Sequence, residues 1–291
     1  MKRTNRGIRN ELTAPQKTIA WLVLGLIFLT MAIPMWNVIV MSTSTALDAA
    51  ASGMKLWWSR FSLEGYKYVF EVTKLARPFL NSLFVSTVGT VIQVVLSAFA
   101  GYVLIQKELP GRKIITSFIM LTMMIPGDLT LISVYQMNKQ LHLLNSYTGL
   151  ILNGLISGFS ILLMRNYFTS VPYSLAESAR IDGASEFRIF GNIYLPISKP
   201  GLATVFFIEF VGKWNSIMLP ATLVTEQKYY TLPLMLKAMI LQTDVSQSGA
   251  AMTPDNAIMA AIVISTVPLL LIYVFAQRFL LSGMTLGASK E

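Results

Sequence analysis

The sequence predicts an all-α, polytopic membrane protein with six transmembrane helices, and three observations predict it. Apolar residues fill 54% of the 291 positions and charged residues only 13%, outside the usual range for a soluble domain. Six apolar blocks, 19–40, 79–105, 114–135, 147–164, 201–219 and 257–279, approach or exceed the length that a hydrocarbon core about 30 Å thick asks of a helix. The basic residues show a sidedness. With the amino terminus inside, the tail, 104–113, 165–200 and the carboxyl end hold 14 of the 23 lysines and arginines.

Taken in order, residues 1–18 form a cytoplasmic tail carrying Lys2, Arg3, Arg6, Arg9 and Lys17 ahead of the first apolar run. That pattern opens a signal peptide too, but the 22-residue run is about 33 Å of helix and no small-residue cleavage site follows it. It predicts an uncleaved first span over 19–41, kinked at Pro34. Residues 42–78 are a polar extracytoplasmic loop whose Trp57, Trp58, Tyr66 and Tyr68 suit a membrane interface. Five more spans occupy 79–281. On the first of these, Ser82 with Ser86 and Ser97 with Gly101 place small residues four apart, the spacing of a close helix–helix contact.

The longest charged run between apolar blocks is 172–200, PYSLAESARIDGASEFRIFGNIYLPISKP. Pro172 suits the first turn of a helix, and Leu175, Ala176 and Ala179 then share one face. Gly183 follows the last periodic residue, where a positive φ ends a helix. Ser185 can cap a second helix with Phe187, Phe190 and Ile193 on one side, and Pro196 is expected to stop it. Glu177, Arg180, Asp182, Glu186 and Arg188 supply charge around small residues that a partner's groove could close upon.

Much chemistry is excluded. There is no cysteine, a single histidine (His142), and no phosphate-cradling Gly-x-x-x-x-Gly-Lys-Ser/Thr, so no disulfide, metal centre, catalytic thiol or nucleotide site is expected within the chain. The net charge of +9 is dispersed at the ends of apolar runs and forms no stripe, which points to the lipid bilayer and not to nucleic acid. Charges inside spans are costly and informative, and three qualify: Asp128, Glu209 and Lys213. Glu209 and Lys213 are spaced for a helical ion pair or for lining a cavity. Asp128 follows Pro126 and Gly127, where a broken helix would expose carbonyls and the carboxylate could line a hydrated path; the alternative is the outer end of a tilted helix.

The loop resembles the EAA loop of ABC importer permeases, Glu-Ala-Ala, three residues, Gly, nine residues, Ile-x-Leu-Pro, through Glu177, Ser178, Ala179, Gly183, Ile193, Leu195 and Pro196. Only Ser178 departs, keeping a small side chain. FSLEGYKYVF is similar to the Phe-Thr-Leu-x-Asn-Tyr element of carbohydrate-importer permeases, with Gly65 where Asn is usual. The carboxyl end matches through Gln277, Arg278, Gly283, Gly287 and Ala288, and FLNSLFVSTVGT with LPGRK looks like the maltose-type (MalG-like) branch. KWNSIMLP is similar to the Trp-Asn-x-x-x-x-Pro segment of the fifth span.

The resemblance implies a type I ABC importer permease fold in a bacterial inner membrane, multi-pass, with both termini cytoplasmic, the carboxyl tail being 282–291. It implies a non-catalytic subunit of a carbohydrate importer, with an oligosaccharide substrate of the complex or acidic kind that the MTLGASK ending suggests. Partners implied are a second permease in a heterodimer, two cytoplasmic ATPase subunits that bind ATP and Mg, and an extracytoplasmic sugar-binding protein. Coupling to the ATPase would fall to Glu177, Ser178, Ala179, Asp182, Gly183, Ala184, Ser185 and Glu186. The pathway would be lined by Asn215, Trp214, Glu209 and Asp128, since aromatic faces stack on sugar rings and amides bond hydroxyls. The competing expectations are an ion-coupled secondary transporter acting alone and a membrane scaffold without a pathway. Topology is checked by single cysteines placed at Ser178 and Ser248, which should label from opposite sides of the membrane; labelling from one side overturns it.

Overall fold

The computed structural model describes residues 13–245 and 253–288, with the side chains of Asp128, 242–245 and 280–288 outside the description. Every regular element among them is helical. In chain order these are α1 (Ala14–Ser42), α2 (Ala46–Ala50), α3 (Glu64–Glu71), α4 (Ala76–Ile105), α5 (Arg112–Met123), α6 (Leu131–Gln140), α7 (Tyr147–Leu152) and α8 (Gly158–Thr169). There follow α9 (Tyr173–Ile181), α10 (Glu186–Ile189), α11 (Leu195–Ile197), α12 (Lys199–Trp214), α13 (Met218–Leu223), α14 (Leu232–Val245) and α15 (Asp255–Ala288). The chain divides into two units, Met1–Tyr68 with Pro254–Val263, and Val69–Thr253 with Ile264–Glu291.

In the first unit, α1 starts at a capping box in which the Thr13 amide donates to Gln16 Oε1 at 2.9 Å. It therefore begins inside the stretch expected as tail, of which 1–12 lie outside the described residues, and it runs through Pro34 without interruption. Its apolar side chains, Trp21, Leu22, Phe28 and Met31 among them, are exposed, as a lipid-facing helix requires. The segment after it is tied down by its aromatics. Trp36 Nε1 donates to the Leu56 carbonyl, Trp58 Nε1 donates to Thr43 Oγ1 at 2.7 Å, and the two rings meet edge to face. A Cβ on Gly65 would lie 2.7 Å from the Asn256 carbonyl oxygen, while Asn256 Nδ2 donates to the Ser44 carbonyl. A glycine at 65, where the similar element carries Asn, thus has a steric reason.

The second unit is organised around α4, which packs on α7, α8, α12 and α14. Its buried face carries Asn81, Ser82, Ser86, Thr90, Gln93, Ser97 and Gly101, while its exposed face carries Leu80, Phe84, Val91, Val95 and Phe99. That is the inverse of a soluble helix. Lipid tails satisfy the apolar side, so the inward side is chosen for close approach and hydrogen bonding. The serines expected to form a packing face do so: Ser82 Oγ accepts from the Leu232 amide at 2.7 Å, and Asn81 Nδ2 donates to the carbonyls of Lys228 and Tyr230.

Among the described residues, three helical stretches are long and apolar enough to cross a membrane, Ala14–Ser42, Ala76–Ile105 and Asp255–Phe279. Glu186–Ile197 with Lys199–Trp214 makes a fourth if that pair, bent by 77°, counts as one. Three of the six expected spans are broken, the 201–219 block at 215–217, between α12 and α13. The 114–135 block ends as α5 at Met123, three residues before Pro126, whose ring excludes the carbonyl one turn back, and it resumes as α6 after a short 3-10 turn, Gly127–Thr130. The 147–164 block stops at α7 because Asn153 turns its amide back onto the Gly149 carbonyl, and Ser157 then caps α8. At the other end α15 continues to Ala288, into the stretch 282–291 expected as tail, of which 289–291 lie outside the described residues, as does Ser248.

The α4–α8 contact yields a stability test. A Cβ at Gly101 would meet the Arg165 amide nitrogen at 2.9 Å and Met164 Cβ at 3.0 Å, whereas at Gly212 on α12 it meets nothing within 4 Å. Gly101→Val should lower the detergent-solubilised protein's stability by about 1–3 kcal/mol. Gly212→Ala should not lower it. Equal melting temperatures for the two variants would show that α4 and α8 do not pack this closely.

Candidate functional site

The segment after α8 is built from local signals. Pro172 fixes its own φ at −57° and leads into α9, which buries Ala176. At the far end Gly183 takes φ +80°; the Ala184 amide donates to the Ala179 carbonyl at 2.9 Å and the Gly183 amide to the Arg180 carbonyl at 3.0 Å. This is the paired closure of a Schellman turn, and an L side chain at 183 would strain it. Ser185 Oγ then accepts from the Arg188 amide and opens α10.

Ile189, Phe190 and Tyr194 drive the segment into the core, joining Tyr102 of α4 and Phe168 of α8. Their rings meet at 5.0–6.1 Å, as Tyr102–Tyr194, Tyr102–Phe190, Phe168–Tyr194 and Phe168–Phe190. The helix does not stop at Pro196. It widens into a π turn, Phe190–Tyr194, which accommodates a residue with no N–H to donate, and continues to Ile197 before breaking at Ser198.

Charge fixes the other side. Glu186 accepts from Arg180 Nε at 2.6 Å and from the Tyr102 hydroxyl at 2.5 Å, and Arg180 Nη2 also reaches Gln106 Oε1 at 3.2 Å. The hydrogen bond to Glu186 raises the Arg180 guanidinium further above its ordinary pKa, with burial opposing. Four side chains thus clamp the α9–α10 turn to the end of α4.

This geometry sorts the expected coupling residues. Glu177, Ser178, Asp182, Gly183 and Ser185 are exposed, Ala179 and Ala184 are half-buried against the aromatic core, and Glu186 sits in the clamp with its side chain 52% exposed. Phe187, expected on one side with Phe190 and Ile193, is instead 79% exposed, because the Ser185 cap sets a helix phase that turns Ile189 and Phe190 inward. Ile181, the last residue of α9, is 83% exposed. Sequence reasoning missed these two exposed apolar residues, and it missed Tyr102 of α4 and Gln106 just after its end, 84 residues from Glu186 and 74 from Arg180, with no local sign of the contact.

The expected pathway residues do not converge. Trp214 is 1% exposed, donates from Nε1 to the Ser265 carbonyl at 3.1 Å, stacks on Phe210 and meets Phe79 edge to face; it packs. Asn215 ends α12 and is exposed, one 100° step round. Glu209 accepts from the Ser160 hydroxyl and Lys213 donates to the Gly154 carbonyl, so the two close no ion pair. Asp128 lies in the Gly127–Thr130 turn, with its side chain outside the described residues.

The chain is 32% identical over 265 residues to the polygalacturonan/rhamnogalacturonan transport system permease protein YtcP of Bacillus subtilis, covering 89% of this chain and 92% of that one. It is 31% identical over 264 residues to Protein LplC of the same organism, covering 89% of each. The fold is that of a solved bacterial ABC transporter involved in the import of the acidic polysaccharide alginate, with a TM-score of 0.82 at 24% identity over 91% of this chain and 96% of that one. Residues 93–286 match the model of one family along two thirds of the sequence, and the chain belongs to it: the binding-protein-dependent transport system inner membrane components.

Proposed function

We propose that the exposed face of α9 and α10 receives the cytoplasmic ATPase and passes its movement to α4. The chain is a permease subunit of a carbohydrate ABC importer and is itself non-catalytic. The observation that carries the coupling reading is the exposed apolar pair Ile181 and Phe187, which flank a rigid Schellman turn and are held on α4 by the Glu186–Arg180–Tyr102 clamp. Apolar anchors ringed by charge are how binding energy is concentrated in a protein interface. Glu177, Ser178, Ala179, Asp182, Gly183, Ala184, Ser185 and Glu186 make up that surface.

The finer reading follows from the same likenesses. The substrate is an oligosaccharide of the complex or acidic kind, as the name of YtcP and that of the alginate transporter suggest, and the chain sits in the maltose-type branch. It pairs with a second permease, two ATPase subunits that hold ATP and Mg, and an extracytoplasmic binding protein. It crosses a bacterial inner membrane six times with both termini inside, the blocks at 114–135, 147–164 and 201–219 crossing as broken helices.

Gly183→Trp, which adds bulk at a left-handed turn, and Glu177→Lys, which reverses a rim charge, should each lower the amount of ATPase that copurifies, by about tenfold for the first. The permease itself should fold, since both positions are exposed. Wild-type copurification with normal uptake would remove the residue concerned from the coupling surface.

Asn215 is the pathway residue we propose, because an exposed amide beside a hydrated path bonds water or sugar hydroxyls without needing a partner helix. Asn215→Leu should lower sugar uptake and shift substrate preference while assembly and basal ATP hydrolysis stay near normal. Loss of assembly would identify Asn215 as interhelical glue, and unchanged uptake across substrates would take it off the path.

A further inference from the structure

Where α4 and α8 end, a cavity of about 360 Å³ opens beneath Tyr173 and Tyr194. Lys107, Arg112 and Arg165 line it, and no carboxylate does. The compensation these cations receive is small. Arg112 Nη1 reaches the Gln106 carbonyl only at 3.5 Å, Lys107 Nζ lies 3.8 Å over the Tyr173 ring, and the guanidinium of the half-buried Arg165 has no hydrogen bond or ion pair among the described residues. Glu108 and Glu186 line an adjoining cavity that Lys107 also borders, and Glu186 is already engaged by Arg180 and Tyr102. Arg112 is also the first residue of α5, a helix start whose Gly111 offers no side-chain cap, so the positive end of that helix dipole adds to the same corner. The carbonyl ends of α4 and α8 approach this space too, but one 3.5 Å hydrogen bond and one ring contact leave most of the charge of three cations unmatched.

We propose that this cavity binds a phosphate-bearing anion at the membrane face. Arginine forks match phosphate oxygens two at a time, and a phosphate of one to two charges balances what the cavity lacks. The surroundings favour an anionic phospholipid headgroup as the source. Leu104 and Ile105 line the cavity, and Ile114 and Phe118, on the helix α5 that starts at the cavity-lining Arg112, are exposed, offering acyl chains apolar surface that free phosphate would not use.

The test uses the full chain, purified in its transporter assembly, in micelles doped equally with phosphatidylglycerol and phosphatidylcholine, with retained lipid read by native mass spectrometry. The wild type should hold phosphatidylglycerol in preference, and Arg112→Gln with Arg165→Gln should cut that preference by about fivefold for each charge removed. Retention that added inorganic phosphate does not displace identifies the lipid as the source. Binding of inorganic phosphate without any lipid preference, lost in the same variant, identifies the free anion. Equal retention of the two lipids with no phosphate binding, or a double variant indistinguishable from the wild type, overturns the proposal. If the double variant does not assemble, Lys107→Gln with Arg112→Gln decides on the same readouts.

Discussion

In hydrocarbon, apolar side chains gain nothing by leaving lipid for a helix interface, and this constraint shapes the second unit. Association must come from close backbone approach and from polar groups that find partners, so α4 presents serine, threonine, glutamine, asparagine and glycine inward and leucine, valine and phenylalanine outward. Gly101 lets α8 approach to contact, Ser82 and Asn81 hold the loop before α14 and its first amide, and the Tyr147 hydroxyl donates to Asn81 Oδ1 at 2.8 Å. The buried Thr90 Oγ1, Gln93 Oε1 and Ser97 Oγ have no partner among the described residues and mark where water or a partner helix would complete the seam.

The loop between α8 and α12 answers to a different physics. Its inner side buries rings where α4 buries polar groups, in an aromatic cluster of ordinary soluble kind, Phe168, Phe190, Tyr194 and Tyr102. Its outer side keeps charge and the two apolar residues that the cluster does not use. One residue belongs to both worlds: Tyr102 lends its ring to the cluster and its hydroxyl to Glu186, so the last turns of α4 are fastened to the loop by packing and by charge together.

What could be read from the sequence was what depends on neighbours in sequence. The positive φ at Gly183 and the cap at Ser185 are local geometry, and both were legible from residue type alone. The small-residue face of α4 was legible as a spacing. Breaks inside apolar blocks were not, because hydropathy reports the solvent a segment tolerates and says little about whether its helix is continuous; Pro126 was the one visible sign. The facing of Phe187 was hidden because a helical period has no phase until a cap and a core fix it. Tyr102, Gln106 and Arg180 meet only through the fold, and Gly65 needed the Asn256 backbone to explain it.

The two ends of the coupling segment are not equally stiff. Toward α12 the chain breaks at Ser198 with a 77° bend, and the Ser198 hydroxyl is buried without a partner among the described residues. A joint that leaves a polar group unsatisfied has less holding it in one geometry than one whose groups are all bonded. Toward α4, by contrast, displacement must shear four aromatic contacts and break a carboxylate held by a guanidinium and a hydroxyl. On the proposed coupling reading, a push delivered at Ile181 and Phe187 is taken up by bending at Ser198 and carried as rigid movement by α4, the helix on which α7, α8, α12 and α14 pack. On that reading the covalent route into α12 is the compliant one, and the noncovalent route through Tyr102 is the lever.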